Sequence, residues 1–279
     1  MVNKHQTVKS LLDIANAMTC ASDSPQLDSQ LLLANRIGQS REWLLAHSDE
    51  VICTTLSDEF LDLMKRRQKG EPVAYLLGHR DFWKSKLKVT SDTLIPRPET
   101  ELIVETILTN LDNKKRLVVD LGTGSGAIAV ALAIERPEWT VIGVDISFPA
   151  LRVARTNGAD LENLHWFQGD WCNALRSQQV DLLVCNPPYI AEDDTHLDAL
   201  SYEPQGALVS SNHGMQDLEE VIVSAQSILK ANGHLLVEHG HEQQIRVCDQ
   251  LRALKFDPTP LTDFAGNPRA VWARRVQDT

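Results

Sequence analysis

Over the first 75 residues apolar positions recur at helical spacing, with none of the alternation of a strand. Val8, Leu11, Leu12, Ala15 and Met18 form one stripe. A second, Leu27, Leu31, Ala34 and Ile37, opens at Ser24-Pro25, a capping residue with proline at the first helical position, and closes at Gly38. The spacing predicts two more helices, over 40–47 and over 57–69, the latter ended by Gly70. These faces either bury one another as a bundle or dock a partner. From 76 to 100 the pattern alternates, which predicts a short hairpin linker. Beyond residue 101 short apolar runs alternate with helical segments. Strands are expected at 116–121, 140–144, 164–167 and 180–185, and helices at 127–134 (stopping before Pro137) and 217–231. A strand at 235–238, a helix at 242–254 and strands at 255–261 and 269–274 complete the chain. Runs such as Val180-Asp181-Leu182-Leu183-Val184-Cys185 read as buried parallel strands, so the fold class is α/β with a small N-terminal helical domain. The expected divisions are a helical bundle over 1–75, a hairpin linker over 76–100 and an α/β domain over 101–279.

Two segments lie where an open parallel sheet binds ligands, beyond the carboxyl ends of its strands. After the run ending at Cys185 stands Asn186-Pro187-Pro188-Tyr189. A planar amide or arylamine nitrogen has a delocalised lone pair and must be held to be alkylated. The Asn186 carboxamide oxygen and the Pro187 carbonyl can each accept one N–H of an NH2 group, and the Tyr189 ring can pack on its plane. Asn-Pro and Pro-Pro are also common turn dipeptides, so the tetrad alone is equally a strand-to-loop turn. The strand ending in Asp120-Leu121 feeds Gly122-Thr123-Gly124-Ser125-Gly126 and a helix. Such a loop lets the backbone approach a ligand, and the helix start offers free N–H donors. Its G-x-G-x-G spacing differs from the dinucleotide fingerprint and favours a cofactor's methionine carboxylate over a pyrophosphate. Asp145, 25 positions after Asp120, ends the next strand, placed for ribose hydroxyls or as a cap ahead of Ser147-Phe148-Pro149. Asp170 and Trp171, after the third strand, are placed for an adenine edge and face, and Trp171 equally as core filling.

The tetrad matches the Asn/Asp-Pro-Pro-aromatic signature of S-adenosylmethionine-dependent methyltransferases acting on amide or amine nitrogens. Over nearly its whole length the chain resembles the protein-(glutamine-N5) methyltransferases, the release factor glutamine methyltransferases. The resemblance extends through Gly70-Glu71-Pro72-Val73-Ala74-Tyr75-Leu76-Leu77-Gly78, Ile95-Pro96-Arg97-Pro98-Glu99-Thr100-Glu101, Glu203-Pro204 with Ala207-Leu208, and Glu238-His239-Gly240. The second of these segments separates it from sister enzymes that methylate a ribosomal-protein glutamine. The resemblance implies a seven-stranded Rossmann-like methyltransferase sheet and S-adenosylmethionine as cofactor. It implies as acceptor the Gly-Gly-Gln glutamine of class I peptide-chain release factors. It implies that Gly122 to Gly126, Asp145, Trp171 and Asn186 contact the cofactor, Asp170 beside them, and that Asn186, Pro187, Pro188 and Tyr189 bind the glutamine. The N-terminal bundle is then expected to help recognise the release factor. Methylation of a ribosomal-protein glutamine or of a nucleic-acid base are the alternatives.

Composition narrows the choice. At 279 residues the chain can bury an α/β domain and a small second one. A formal net charge of −11 argues against a large nucleic-acid footprint. Lys84, Lys86 and Lys88 share one face of a strand, read as solvated, and Lys65-Arg66-Arg67 and Lys114-Lys115-Arg116 are read the same way. Five cysteines, Cys20, Cys53, Cys172, Cys185 and Cys248, contain no C-x-x-C pair and are read as reduced thiols. His234, His239 and His241 lack partners at a metal-motif spacing and are expected to pack at a strand end. With no signal segment and no apolar run of membrane-spanning length, a cytoplasmic protein without membrane association is expected.

Overall fold

The structure, a computed structural model, describes residues 6–18, 22, 24–173 and 175–276; Cys20 lies outside the described residues. The chain forms two compact units, residues 1–79 and 80–279.

In the first unit a two-residue antiparallel pair, β1 (Gln6–Thr7) with β2 (Val51–Ile52), accompanies the helices α1 (Val8–Met18), α2 (Pro25–Ile37), α3 (Arg41–Ala46), α4 (Thr54–Gln68) and α5 (Val73–Leu77). Their stripes bury against one another: Val8, Leu11, Ala15, Leu32, Leu33, Phe60 and Met64 form one core. Gly38 ends α2 in the left-handed conformation. Ser24 precedes α2 without a side-chain capping bond, whereas Ser40 does cap α3, accepting from the Trp43 N–H. Helix α4 starts at Thr54, three residues before the expected position, and buries Ser57. The ion pair of Arg67 with the buried Asp28, at 2.7 Å, ties α4 to α2.

The second unit opens with the hairpin β3 (His79–Phe82) and β4 (Ser85–Lys88), whose Phe82 and Leu87 belong to this unit's own core. Lys84, Lys86 and Lys88 are exposed, and Lys84 pairs with Glu135 at 2.6 Å. Then follow α6 (Glu101–Asn110), β5 (Leu117–Leu121), α7 (Ala127–Glu135), β6 (Thr140–Asp145), α8 (Phe148–Asn157), β7 (Leu164–Gln168) and β8 (Val180–Cys185). The chain continues with the short turn α9 (Ser211–Gly214), α10 (Gln216–Ile228), β9 (Leu229–Glu238), α11 (Gln244–Ala253), β10 (Phe256–Thr262) and β11 (Pro268–Arg275). The strand order is β10-β11-β9-β8-β5-β6-β7. Pairs from β9 through β7 are parallel, and β11 runs antiparallel to both neighbours. The order reverses between β5 and β8, which opens a crevice beyond their carboxyl ends.

Helices cover both faces, so alternate strand residues enter two cores. Val119, Leu121, Leu183, Cys185, Leu235 and Val237 pack with α10 and α11, and Val118, Leu182, Val184 and Leu236 with α6 and α7. Helix α7 is apolar all round because all of Ala127 to Ala133 are buried. Helix α10 stops at Ile228, three residues before the expected end. The chain enters β9 at Leu229, where pairing to β8 jumps from Val180↔Leu229 to Leu182↔His234. Left-handed Asn232 (φ 61°) turns this irregular stretch, and Lys230 reaches Asp181 at 2.8 Å. His234 stacks on Trp272, ring centroids 4.6 Å apart, His239 is fully buried with Nδ1 2.8 Å from the Gly240 carbonyl, and His241 is exposed. Cys172, Cys185 and Cys248 are buried and Cys53 exposed, all as free thiols. Among the described residues no helix is long and apolar enough to cross a membrane.

The Trp166 indole lies where three glycines would carry a Cβ: such an atom would fall 2.7 Å from the ring at Gly126, 2.4 Å at Gly143 and 2.9 Å at Gly158. One ring thus packs against β6, the end of the glycine loop and the end of α8. Gly143→Ala should destabilise the fold by about 1–3 kcal/mol through overpacking. Chemical denaturation would show that penalty shrinking in a Trp166→Leu background; an equal loss in both backgrounds would assign it elsewhere.

Candidate functional site

The crevice is built first by the loop after β5. Gly122, Gly124 and Gly126 all have positive φ (66°, 56° and 82°), which side-chain-bearing residues rarely adopt, and this accounts for the G-x-G-x-G spacing. The loop is pinned from below. The Thr123 hydroxyl donates to Asp120 Oδ2 at 2.6 Å, the Ala129 N–H donates to the same oxygen at 3.2 Å, and the Thr123 N–H donates to the Val144 carbonyl at 2.9 Å. Burial lifts the Asp120 carboxyl to about 7 against those hydrogen bonds.

Asp145 holds the loop from the side. Its Oδ2 accepts the Gly124 N–H and its Oδ1 the Ser147 N–H, both at 2.8 Å, leaving a further lone pair on each oxygen. Burial raises its pKa in spite of these bonds. The cap of α8 is Ser147, whose hydroxyl accepts the Ala150 N–H at 3.2 Å, so Asp145 does not fill that role. Trp171 sits at φ 41° with its indole edge against Gly122, where a Cβ would be 3.3 Å away. The ring therefore forms a wall of the crevice and does not merely fill the core.

After β8, Asn186-Pro187-Pro188-Tyr189 leaves the sheet under restraint from three distant segments. The Asn186 Nδ2 donates to Thr100 Oγ1 at 3.4 Å, the Thr100 hydroxyl to Glu238 Oε2 at 2.9 Å, and the Tyr189 hydroxyl to Glu238 Oε1 at 3.1 Å. Glu238, at the end of β9, is buried, and desolvation raises its carboxyl to about 7 against the bonds from Thr100 and Tyr189 and the field of Arg269. Burial and the neighbouring Glu238 push the Tyr189 phenol upward, so it remains a donor. Gln243 donates to the Tyr189 carbonyl at 3.0 Å, and Gly214 packs so close that a Cβ would fall 2.1 Å from that oxygen. A second buried acid, Glu203, braces the facing wall: it accepts the Ile95 N–H at 3.0 Å and pairs with Arg97 at 2.6 Å.

Two cavities result. The larger, about 410 Å³, is lined by Gly122, Gly124, Asp145, Asp170, Trp171 and Asn186 among others. The smaller, about 250 Å³, is lined by Arg97, Pro187, Tyr189, Ile190 and Leu208 among others, and shares Leu94, Asn186 and Ala207 with the larger. The structure thus brings the predicted residues together around Asn186, with Pro188 on the larger cavity and Pro187 and Tyr189 on the smaller. Thr123, Ser125 and Gly126 line neither: Thr123 and Ser125 are buried, and Thr123 serves the loop through Asp120. Four carboxylates, Asp92, Asp145, Asp170 and Asp217, line the larger cavity without a lysine or arginine. Such a lining repels a pyrophosphate and favours a cation. S-adenosylmethionine, with its sulfonium and ammonium, fits that charge.

Sequence reasoning assigned no site role to Asp92, Thr93, Leu94, Asp217, Thr100 or Glu238. The last two stand inside Pro98-Glu99-Thr100 and Glu238-His239-Gly240, segments already conspicuous in the sequence, but nothing local to either indicates that they meet.

Residues 98–202 match the family model described as Methyltransferase small domain, and residues 11–78 match PrmC N-terminal domain. A release factor glutamine methyltransferase of Coxiella burnetii is 41% identical, over 94% of this chain and 96% of its own. The proteins of that name from Salmonella typhimurium (40% identical; 97% of this chain, 96% of its own) and Escherichia coli (39%; 92% and 95%) are similarly close. Among solved structures, a methyltransferase from Pyrococcus furiosus shares the fold at a TM-score of 0.53 and 14% identity, covering 76% of this chain and 97% of its own.

Burial holds Glu238 protonated to a higher pH than the ordinary value of 4.5 it would have in the unfolded chain. The folded state therefore binds an extra proton between these limits. That stability is full below about 4.5 and is lost as pH rises through about 7. Melting temperatures from pH 5 to 8 should fall less steeply for Glu238→Gln than for the parent; parallel curves would contradict this.

Proposed function

The chain belongs to the release factor glutamine methyltransferase family, and on that premise we propose that it methylates the side-chain amide nitrogen, N5, of the glutamine in the Gly-Gly-Gln motif of class I peptide-chain release factors. S-adenosylmethionine is the methyl donor. The observation that carries this reading is the meeting of an acidic, glycine-floored cavity and a smaller, mainly apolar one at a single carboxamide, Asn186.

In this reading the larger cavity takes the cofactor: the Gly122–Gly126 loop faces its methionine part, Asp145 its ribose, and Trp171 with Asp170 its adenine. The acceptor amide enters from the smaller cavity. Asn186 Oδ1 and the Pro187 carbonyl each accept one N–H, and the Tyr189 ring and Pro188 confine the plane of the group. S-adenosylmethionine bound in the larger cavity would supply a methyl already activated by its sulfonium, with the thioether sulfur as leaving group; Asn186 and Pro187 would hold the attacking nitrogen, whose surplus proton would pass to water. The carboxylates on the larger cavity favour the sulfonium, and the remainder of the chain's contribution is orientation. The acidic charge balance disfavours a nucleic-acid base as acceptor. We assign the N-terminal unit to recognition of the protein substrate, and the setting to the cytoplasm, where translation termination takes place.

The decisive experiment incubates the chain with S-adenosylmethionine and an unmodified class I release factor and sequences the Gly-Gly-Gln peptide by mass spectrometry. One added methyl on that glutamine is expected; methyl on no glutamine, with cofactor bound, would refute the acceptor. Asn186→Ala should lower kcat by about 100-fold or more through lost orientation, with S-adenosylmethionine affinity comparatively intact. Asp145→Ala should raise the cofactor KM with a smaller effect on kcat. A larger loss of cofactor binding than of kcat in Asn186→Ala would overturn the role given to it.

A further inference from the structure

A carboxamide presents an acceptor on one side and a donor on the other, and the two ends have nearly the same shape. An Asn186 turned the wrong way would present its NH2 to the NH2 of the substrate, donor against donor. Something must therefore choose the orientation, and neither Asn186 nor its proline neighbours can do so.

We propose that Thr100 and Glu238 are positioning residues that form a one-way hydrogen-bond relay holding the Asn186 carboxamide with Nδ2 turned away from the acceptor and Oδ1 toward it. The inference rests on the reading of Asn186 as the acceptor's hydrogen-bond partner. The relay follows from counting protons. Above about pH 7, where Glu238 is ionised, its oxygens only accept, so the single hydroxyl proton of Thr100 is committed to Glu238 Oε2, 2.9 Å away. Thr100 Oγ1 can then only accept from Asn186, 3.4 Å away, and the atom facing it is the amide nitrogen. The other carboxylate oxygen of Glu238 is occupied by the Tyr189 hydroxyl, so the same acid also fixes the ring that flanks the acceptor. Thr100 is 4% exposed and Glu238 1%, so water does not compete for these bonds. Thr100 belongs to the turn entering α6 and Glu238 to the end of β9, 138 positions apart.

The test compares Thr100→Val, which keeps the shape and removes the hydroxyl, with Thr100→Ser, which keeps the hydroxyl, and with Glu238→Gln, whose amide can show Thr100 either atom. For Thr100→Val we expect kcat to fall about tenfold or more, the scale of a buried donor left unpaired, with the S-adenosylmethionine dissociation constant within about threefold of the parent. Thr100→Ser should retain kcat within about threefold on the same grounds, and Glu238→Gln should fall between the two. Because the links act in series, the double variant Thr100→Val, Glu238→Gln should be no slower than Thr100→Val alone. Equal impairment of the Ser and Val variants, or additive losses in the double variant, would overturn the relay. A second readout does not depend on the acceptor: the ¹⁵N-labelled side-chain NH2 signals of Asn186, assigned by their loss in Asn186→Asp. They should move in Thr100→Val and Glu238→Gln and stay in place in Thr100→Ser; unmoved signals in Thr100→Val would refute the relay whatever the protein methylates. Failure of the parent to methylate release factor, with the signals moving as expected, would instead overturn the acceptor and leave the relay standing.

Discussion

The parallel register of β5 with β8 is the constraint on which the site depends. Leu121 pairs with Cys185, so the next residue on each strand, Gly122 and Asn186, leaves the sheet beside the other. One begins the loop that floors the larger cavity and the other borders both cavities. Both strands are buried on two faces, and a slip of one residue would exchange every inward side chain between the two cores. Hydrophobic burial thereby sets the separation of two polar groups that take no part in the core.

Around that pair the loops are held by buried acids. Asp120, Asp145, Glu203 and Glu238 each accept bonds from a segment other than their own: the start of α7, the glycine loop, the Ile95–Arg97 stretch, and Thr100 with Tyr189. Burying a carboxylate is costly unless its oxygens are bonded, so each acid favours the one loop arrangement that satisfies it. The raised values of Asp120, Asp145 and Glu238 express that cost directly. The loops are tied to the sheet by the requirement that these buried carboxylate oxygens be bonded.

The two cavities divide the chemistry by charge and size. Four aspartates and no basic side chain give the larger one a cation preference, whereas the smaller is walled mainly by Leu94, Pro187, Tyr189, Ile190, Leu200 and Leu208, with Arg97 tied to Glu203. An uncharged planar amide suits such walls where its two N–H donors meet acceptors at the edge. Asn186, common to both, is where a donor and an acceptor would meet.

Much of this was legible in the chain itself. The helical stripes of the first unit, the five parallel strands, the glycine loop and the Asn-Pro-Pro-Tyr turn are each written within a short window, because periodicity, capping and positive-φ glycine act between neighbours. The same locality explains the errors: α10 reads through to Ala231 by composition, and only pairing with β8 stops it at Ile228. Of the two places open to Asp145 from its sequence, the cap of α8 is held by Ser147. By itself the sequence determined most strands and helices, though not α6 or α8, and the order of its motifs along the chain. Tertiary structure alone decided that Thr100 meets Glu238 and Asn186, that Glu203 braces Arg97, and that two cavities share one carboxamide. Those contacts join residues about a hundred positions apart, and their geometry is set by the order in which strands pack into the sheet.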